Sequence, residues 1–160
     1  MSYYYQGVIV AGSEVAVRAA FSSLDSFLLL RLTRLCDGVF GIYPGAPQTG
    51  PETFGMPEEG RHGRSRVSDE LCRIAAILSQ KSGYALWDSW DSCVGAWSRL
   101  YRDGSLIREI TLEDDHNDKK EAAMLMSMGL AARAAYRVIR AKRDGLHHTN
   151  LGLAEHSPIR

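Results

Sequence analysis

Two Asp-Gly pairs limit the folds open to this chain. Asp37-Gly38 lies between the runs 27–35 and 39–43, and Asp103-Gly104 lies between 94–101 and 105–112. Asp-Gly between two β-prone runs reads as the turn of a β-hairpin. A type I′ turn needs positive φ at both central positions, and Asp and Gly tolerate that better than most residue pairs. Hairpins join antiparallel neighbours, so the sheet is expected to be mainly antiparallel.

The rest of the chain fills in around these hairpins. Residues 3–10 are aromatic and β-branched and read as a strand. Gly12-Ser13 ends it, and Ser13 is placed to N-cap a helix running from Glu14 to about Ser23. Ser68 is the expected cap of a second helix, with Asp69 and Glu70 in its first turn and Gly83 as its C′ residue. Leu71, Ile74, Ala75 and Leu78 recur at helical spacing and mark its buried face. Residues 84–90 read as a further strand. A last long helix is expected from Asn117 or Asp118 to Gly145, with Leu125, Met128, Ala132, Ala135 and Ile139 as its apolar stripe.

The order β-α-β-β, loop, α-β-β-β-α implies an α+β fold, a mainly antiparallel sheet of about five to six strands with three helices packed on one face. Val17-Arg18-Ala19-Ala20-Phe21 and Cys72-Arg73-Ile74-Ala75-Ala76-Ile77 are loosely alike, which suggests a βαββ pseudo-repeat. A chain of 160 residues fits one domain, placed at 1–146. Residues 44–67 form a long Gly/Pro-rich loop within it, and 147–160 read as a loose tail.

Composition narrows the function. The formal net charge is +0, without the basic excess of a nucleic-acid binder. No apolar run approaches the ~20 residues of a membrane span, and the first residues lack a signal-peptide pattern, so the expected location is cytoplasmic. Cys36, Cys72 and Cys93 are odd in number and have no C-x-x-C spacing, which argues for reduced thiols. Phosphate-loop, dinucleotide, nucleophile-elbow, H-E-x-x-H and EF-hand patterns are all missing. The reading is therefore a non-enzyme with no catalytic residues, no cofactor and no metal site.

Three constellations remain. Trp87-Asp88-Ser89-Trp90-Asp91 combines aromatic anchors with carboxylates, as protein-binding surfaces do, although a core role for its tryptophans reads at least as well. Glu113-Asp114-Asp115 leads an acidic stretch through His116 to Asp118 and Glu121. A helix dipole explains those acids more simply than a metal does. Arg133, Arg137, Arg140, Lys142 and Arg143 give the last helix a basic face, read as its solvated side. The candidate partner-binding residues are Trp87, Asp88, Trp90, Asp91, Glu113, Asp114 and Asp115. The partner is expected to be a protein, and the chain itself a monomer or homodimer. The alternative is a small hydrolase or transferase with a site under the 44–67 loop, drawing on His62, Asp88 or Cys93.

Through Trp87-Asp88-Ser89-Trp90-Asp91, Arg102-Asp103-Gly104-Ser105 and Glu113-Asp114-Asp115, the chain resembles small bacterial immunity proteins that neutralise secreted toxins. The resemblance implies a cytosolic inhibitor that forms a tight one-to-one complex and occludes the active site of a cognate toxin. It transfers no residue by position, because such proteins are diverse.

Overall fold

The computed structural model describes residues 4–44, 66–91, 95–113, 118–144 and 149–153. Among these residues seven strands make one antiparallel sheet: β1 (Tyr4–Ala11), β2 (Leu30–Cys36), β3 (Val39–Pro44), β4 (Tyr84–Asp91), β5 (Gly95–Arg102), β6 (Ser105–Glu113) and β7 (Thr149–Leu153). Their order across the sheet is β6-β5-β4-β1-β3-β2-β7. The helices are α1 (Glu14–Ser22), α2 (Arg66–Ser82), α3 (Asp118–Met126) and α4 (Ala132–Asp144). The α+β class and the antiparallel sheet are as the hairpins imply. The long loop 44–67 lies outside the described residues except at its ends.

Helices cover both faces, contrary to the one-faced packing expected. The reason lies in β1, where every residue from Gln6 to Val10 is buried. Val8 and Val10 pack with Val17 and Phe21 of α1 and Leu71, Ile74, Ala75 and Leu78 of α2. Ile9, between them, points to the opposite face and packs with Ala122, Met124 and Leu125 of α3 and Ala135, Val138 and Ile139 of α4. A strand with both faces apolar must be covered on both sides.

Local chemistry explains most element ends. Ser13 caps α1 by accepting from the Ala16 N–H at 3.2 Å. Gly83 ends α2 at φ 88°, its N–H bonded to the Ser79 carbonyl at 2.9 Å. Ser68, however, is not a cap. It sits inside α2, and its hydroxyl donates to Gln6 Oε1 at 2.8 Å, so tertiary bonding took the hydroxyl that capping would have used. The long last helix is broken in two at Gly129, which takes φ 87°. Leu125, Met128, Ala135 and Ile139 of its stripe still reach the core, with Met128 and Leu130 buried in the break, whereas Ala132 is exposed. Residues 149–153, expected in a loose tail, form β7 and pair with β2.

The two Asp-Gly turns differ. At Asp103-Gly104 both residues take positive φ, 50° and 87°, as type I′ requires. The Gly104 N–H donates to Ser79 Oγ at 2.8 Å, which ties this hairpin to α2. At Asp37-Gly38 only Gly38 is positive, at 73°, and β2 carries a bulge between Arg34 and Cys36. That hairpin turns by another geometry.

Tyr43 lies over a floor of two glycines. A Cβ on Gly7 would come within 2.5 Å of the Tyr43 ring and 2.8 Å of the Ile42 carbonyl, and one on Gly41 within 2.5 Å of the ring's other side. Neither strand can move away without breaking the β1–β3 ladder. Gly7→Ala is therefore expected to destabilise the fold by about 1–3 kcal/mol, the usual cost of overpacking. Urea denaturation should show a lower midpoint with an unchanged slope.

Candidate functional site

The α2-facing side of the sheet carries a buried polar seam. Gln6 occupies an inward position of β1, fully buried. Its side-chain oxygen accepts from Ser68 Oγ at 2.8 Å and from the Trp87 indole N–H at 3.3 Å. A buried amide needs such partners, since an unmet one costs about 1–3 kcal/mol. The Arg99 guanidinium lies 5.8 Å from the Trp87 ring centroid, donates to Glu109 Oε2 at 2.8 Å and approaches Cys72 Sγ at 3.9 Å. Trp87 thus joins α2, β1, β4 and β5 in one connected set.

Cys72 and Tyr101 complete the seam. Burial raises the Cys72 thiol above its usual range, and hydrogen bonds from Tyr101 and Arg99 oppose this without reversing it. Burial also pushes the Tyr101 hydroxyl up to about 12, with Cys72 adding to the effect. Both groups therefore hold their protons at neutral pH. A protonated, buried thiol is a poor nucleophile, so the seam is suited to holding α2 against the sheet.

Asp88 faces the opposite way and is 2% exposed. It accepts from Ser98 Oγ on β5 at 2.8 Å. Trp87 is 3% exposed. Neither residue is presented at the surface in this conformation, so the alternative weighed for Trp87, a place in the core, is the one the structure adopts. Trp90, Asp91 and Glu113 are placed through their backbones only, and Asp114 and Asp115 lie outside the described residues, as do His62 and Cys93. Among the described residues, no three His, Cys, Asp or Glu side chains converge as metal ligands would. No helix among them is long and apolar enough to cross a membrane.

The backbone ladder nevertheless gathers the sequence candidates. Tyr4 pairs with Asp91, Asp91 with Gly95, and Gly95 with Glu113, so four adjacent strands set these residues abreast at one end of the sheet. The next row inward is Tyr5, Trp90, Ala96 and Leu112. Two stretches more than 20 residues apart in sequence, Trp90-Asp91 and Glu113, thereby come to one edge of one rigid element.

Sequence reasoning missed the seam of Gln6, Ser68, Cys72, Arg99 and Glu109. Gln6 did leave a signal, a lone amide at an inward position of an otherwise apolar run. The Arg99–Glu109 pair left none. An unbroken ladder from the Asp103-Gly104 turn would set Arg99 opposite Arg108. A bulge, in which Leu106 and Ile107 together oppose Tyr101, shifts the register so that Arg99 meets Glu109.

No family model matches this chain, and neither a curated protein nor a solved structure matches it.

The tyrosine at the centre of the seam gives a pH signature. The folded chain keeps the Tyr101 proton up to about pH 12, whereas the unfolded chain loses it near 10. Stability is then full below pH 10 and falls as pH rises towards 12, because the unfolded state releases its proton first. A titration followed by phenolate absorbance should contain a step near pH 12 that is absent from Tyr101→Phe. The loss of stability across that window should be shallower in the variant.

Proposed function

We propose that this chain is a cytoplasmic protein-binding module of the immunity-protein kind, which inhibits a cognate bacterial toxin by covering its active site. One observation carries the reading: the ladder across β1, β4, β5 and β6 assembles Tyr4, Trp90, Asp91 and Glu113 at one end of the sheet. Tyr and Trp offer large contact area at low entropic cost, and carboxylates select a basic partner surface and speed its encounter. The platform beneath is stiff, since Trp87 and Asp88, the residues just before this end of β4, are locked into the seam and the β4–β5 pair. A preformed surface loses little conformational entropy on binding.

Asp114 and Asp115 continue the acidic stretch directly after Glu113 in sequence. The basic partner implied is the rim of a toxin's active site, as the resemblance to immunity proteins would have it. The enzyme alternative draws on Asp88, which is buried and engaged by Ser98, and gains no support from that placement.

The test is affinity capture of the tagged chain from its native cells, read by mass spectrometry, followed by titration of the captured partner. The expected result is one stoichiometric protein partner. The double variant Asp91→Lys/Glu113→Lys should bind it at least roughly tenfold more weakly, with a reduced salt dependence. Absence of any partner at low and high salt, or a complex indifferent to both reversals, would reject the reading and turn attention to substrates.

A further inference from the structure

Among the described residues the sheet has two edges, and they are unequal. One is closed by β7, a strand of 5 residues. The other is β6, with 9 residues and no proline or lysine. Ser105 to Glu109 and Thr111 are all exposed, including Leu106 at 46% and Ile107 at 52%. Soluble proteins usually shorten, charge or cover such an edge, because its outward N–H and C=O groups form a template for another strand. Here the bulge at Leu106-Ile107 disturbs one end of β6, and Arg108, Glu109 and Glu113 charge it, so a partner strand must accommodate those charges. From Arg108 onward the strand is regular.

The sequence of that regular stretch selects a partner. Two copies of one strand can pair antiparallel across a two-fold axis normal to the sheet. Opposed residues must share a face, so the axis passes through one residue, which meets its own copy. An axis at Arg108 sets arginine against arginine, and one at Glu109 sets glutamate against glutamate. An axis at Thr111 sets Glu109 opposite Glu113 of the second copy. An axis at Ile107 falls on the bulge. An axis at Leu112 opposes no like charges but engages only Thr111, Leu112 and Glu113 of the described strand, whereas an axis at Ile110 avoids like charges and engages all five residues from Arg108 to Leu112. The Ile110 axis places Ile110 against Ile110, and Arg108 opposite Leu112. It also places Glu109 opposite Thr111, whose hydroxyl can donate to the carboxylate.

We propose that β6 is a homodimer surface, in which two copies join their sheets through antiparallel β6 strands centred on Ile110. Ile110 packs partly against the α3–α4 core, so the central contact extends an existing apolar cluster. The ion pair of Arg99 with Glu109 stays on the other face beside Thr111 of the second copy. The occupant is a second copy because the register built on it opposes no like charges. This inference does not rest on the proposed toxin partner.

The test uses the full chain. Sedimentation equilibrium should show a concentration-dependent species of twice 17.7 kDa. Under mild oxidation, Ile110→Cys should form a disulfide-linked dimer, because directly opposed strand residues lie within disulfide reach. Arg108→Cys alone should crosslink no more than the unsubstituted chain, whereas a mixture of Arg108→Cys and Leu112→Cys should yield the mixed dimer. Ile110→Asp should weaken association by roughly tenfold, the effect of like charges placed face to face. Mixing it with Ile110→Lys should restore the dimer and so show that both variants are folded. A chain that stays monomeric at every concentration would overturn the proposal. So would a dimer in which position 110 fails to crosslink while another position succeeds.

Discussion

Strand β1 is buried on both faces from Gln6 to Val10, and the architecture follows from that. It pairs with β3 on one side and β4 on the other, which makes it the strand through which the two hairpin sets join. An antiparallel sheet can leave one face to water, but an apolar strand with two buried faces cannot. The chain therefore divides its helices. The α1–α2 pair covers the face of Val8 and Val10, and the α3–α4 pair covers the face of Ile9. The break at Gly129 serves the same end. A single straight helix would carry its stripe past the sheet, whereas two shorter ones fold Leu125, Met128 and Ile139 into one cluster.

Burial on both sides makes an unmet polar group in β1 costly, and the seam on the α2 face meets that of Gln6. Gln6 is met by Ser68 from α2 and Trp87 from β4. Arg99, half sheltered, is met by Glu109, the Trp87 ring and Cys72. The bulge in the β5–β6 hairpin belongs to this logic. It exchanges an Arg99–Arg108 opposition for an ion pair and so turns a repulsive register into an attractive one. These contacts join residues far apart in the chain. Their substitution is expected to loosen the docking of α2 on the sheet.

This rigid centre matters for function because the proposed surfaces lie at its margins. The Tyr4–Asp91–Gly95–Glu113 row is the terminus of strands whose inner residues are fixed by the seam and the β4–β5 ladder. The β6 edge is the margin at right angles to that row. In the two proposals a partner sits at the end of the sheet while a second copy extends the sheet sideways. The two surfaces meet only near Glu113, so the two associations can occur together.

The sequence by itself determined the class of the fold and much of its local grammar. Asp103-Gly104 set a type I′ turn, Ser13 a helix cap, Gly83 a helix end, and the spacing of Leu71, Ile74, Ala75 and Leu78 a buried helix face. Each depends on interactions within a few residues, where side-chain chemistry and backbone dihedrals act directly. The candidate site was legible as composition, in Trp87 to Asp91 and Glu113 to Asp115, but not as an arrangement. Tertiary structure decided that Trp87 and Asp88 lie inside while the ladder brings Asp91 and Glu113 to one row. It also decided that Ser68 bonds Gln6 rather than capping its helix, that residues 149–153 close an edge, and that both faces are covered. Those outcomes turn on which distant groups compete for the same hydrogen bond or the same apolar surface, and that competition exists only once the chain has closed on itself.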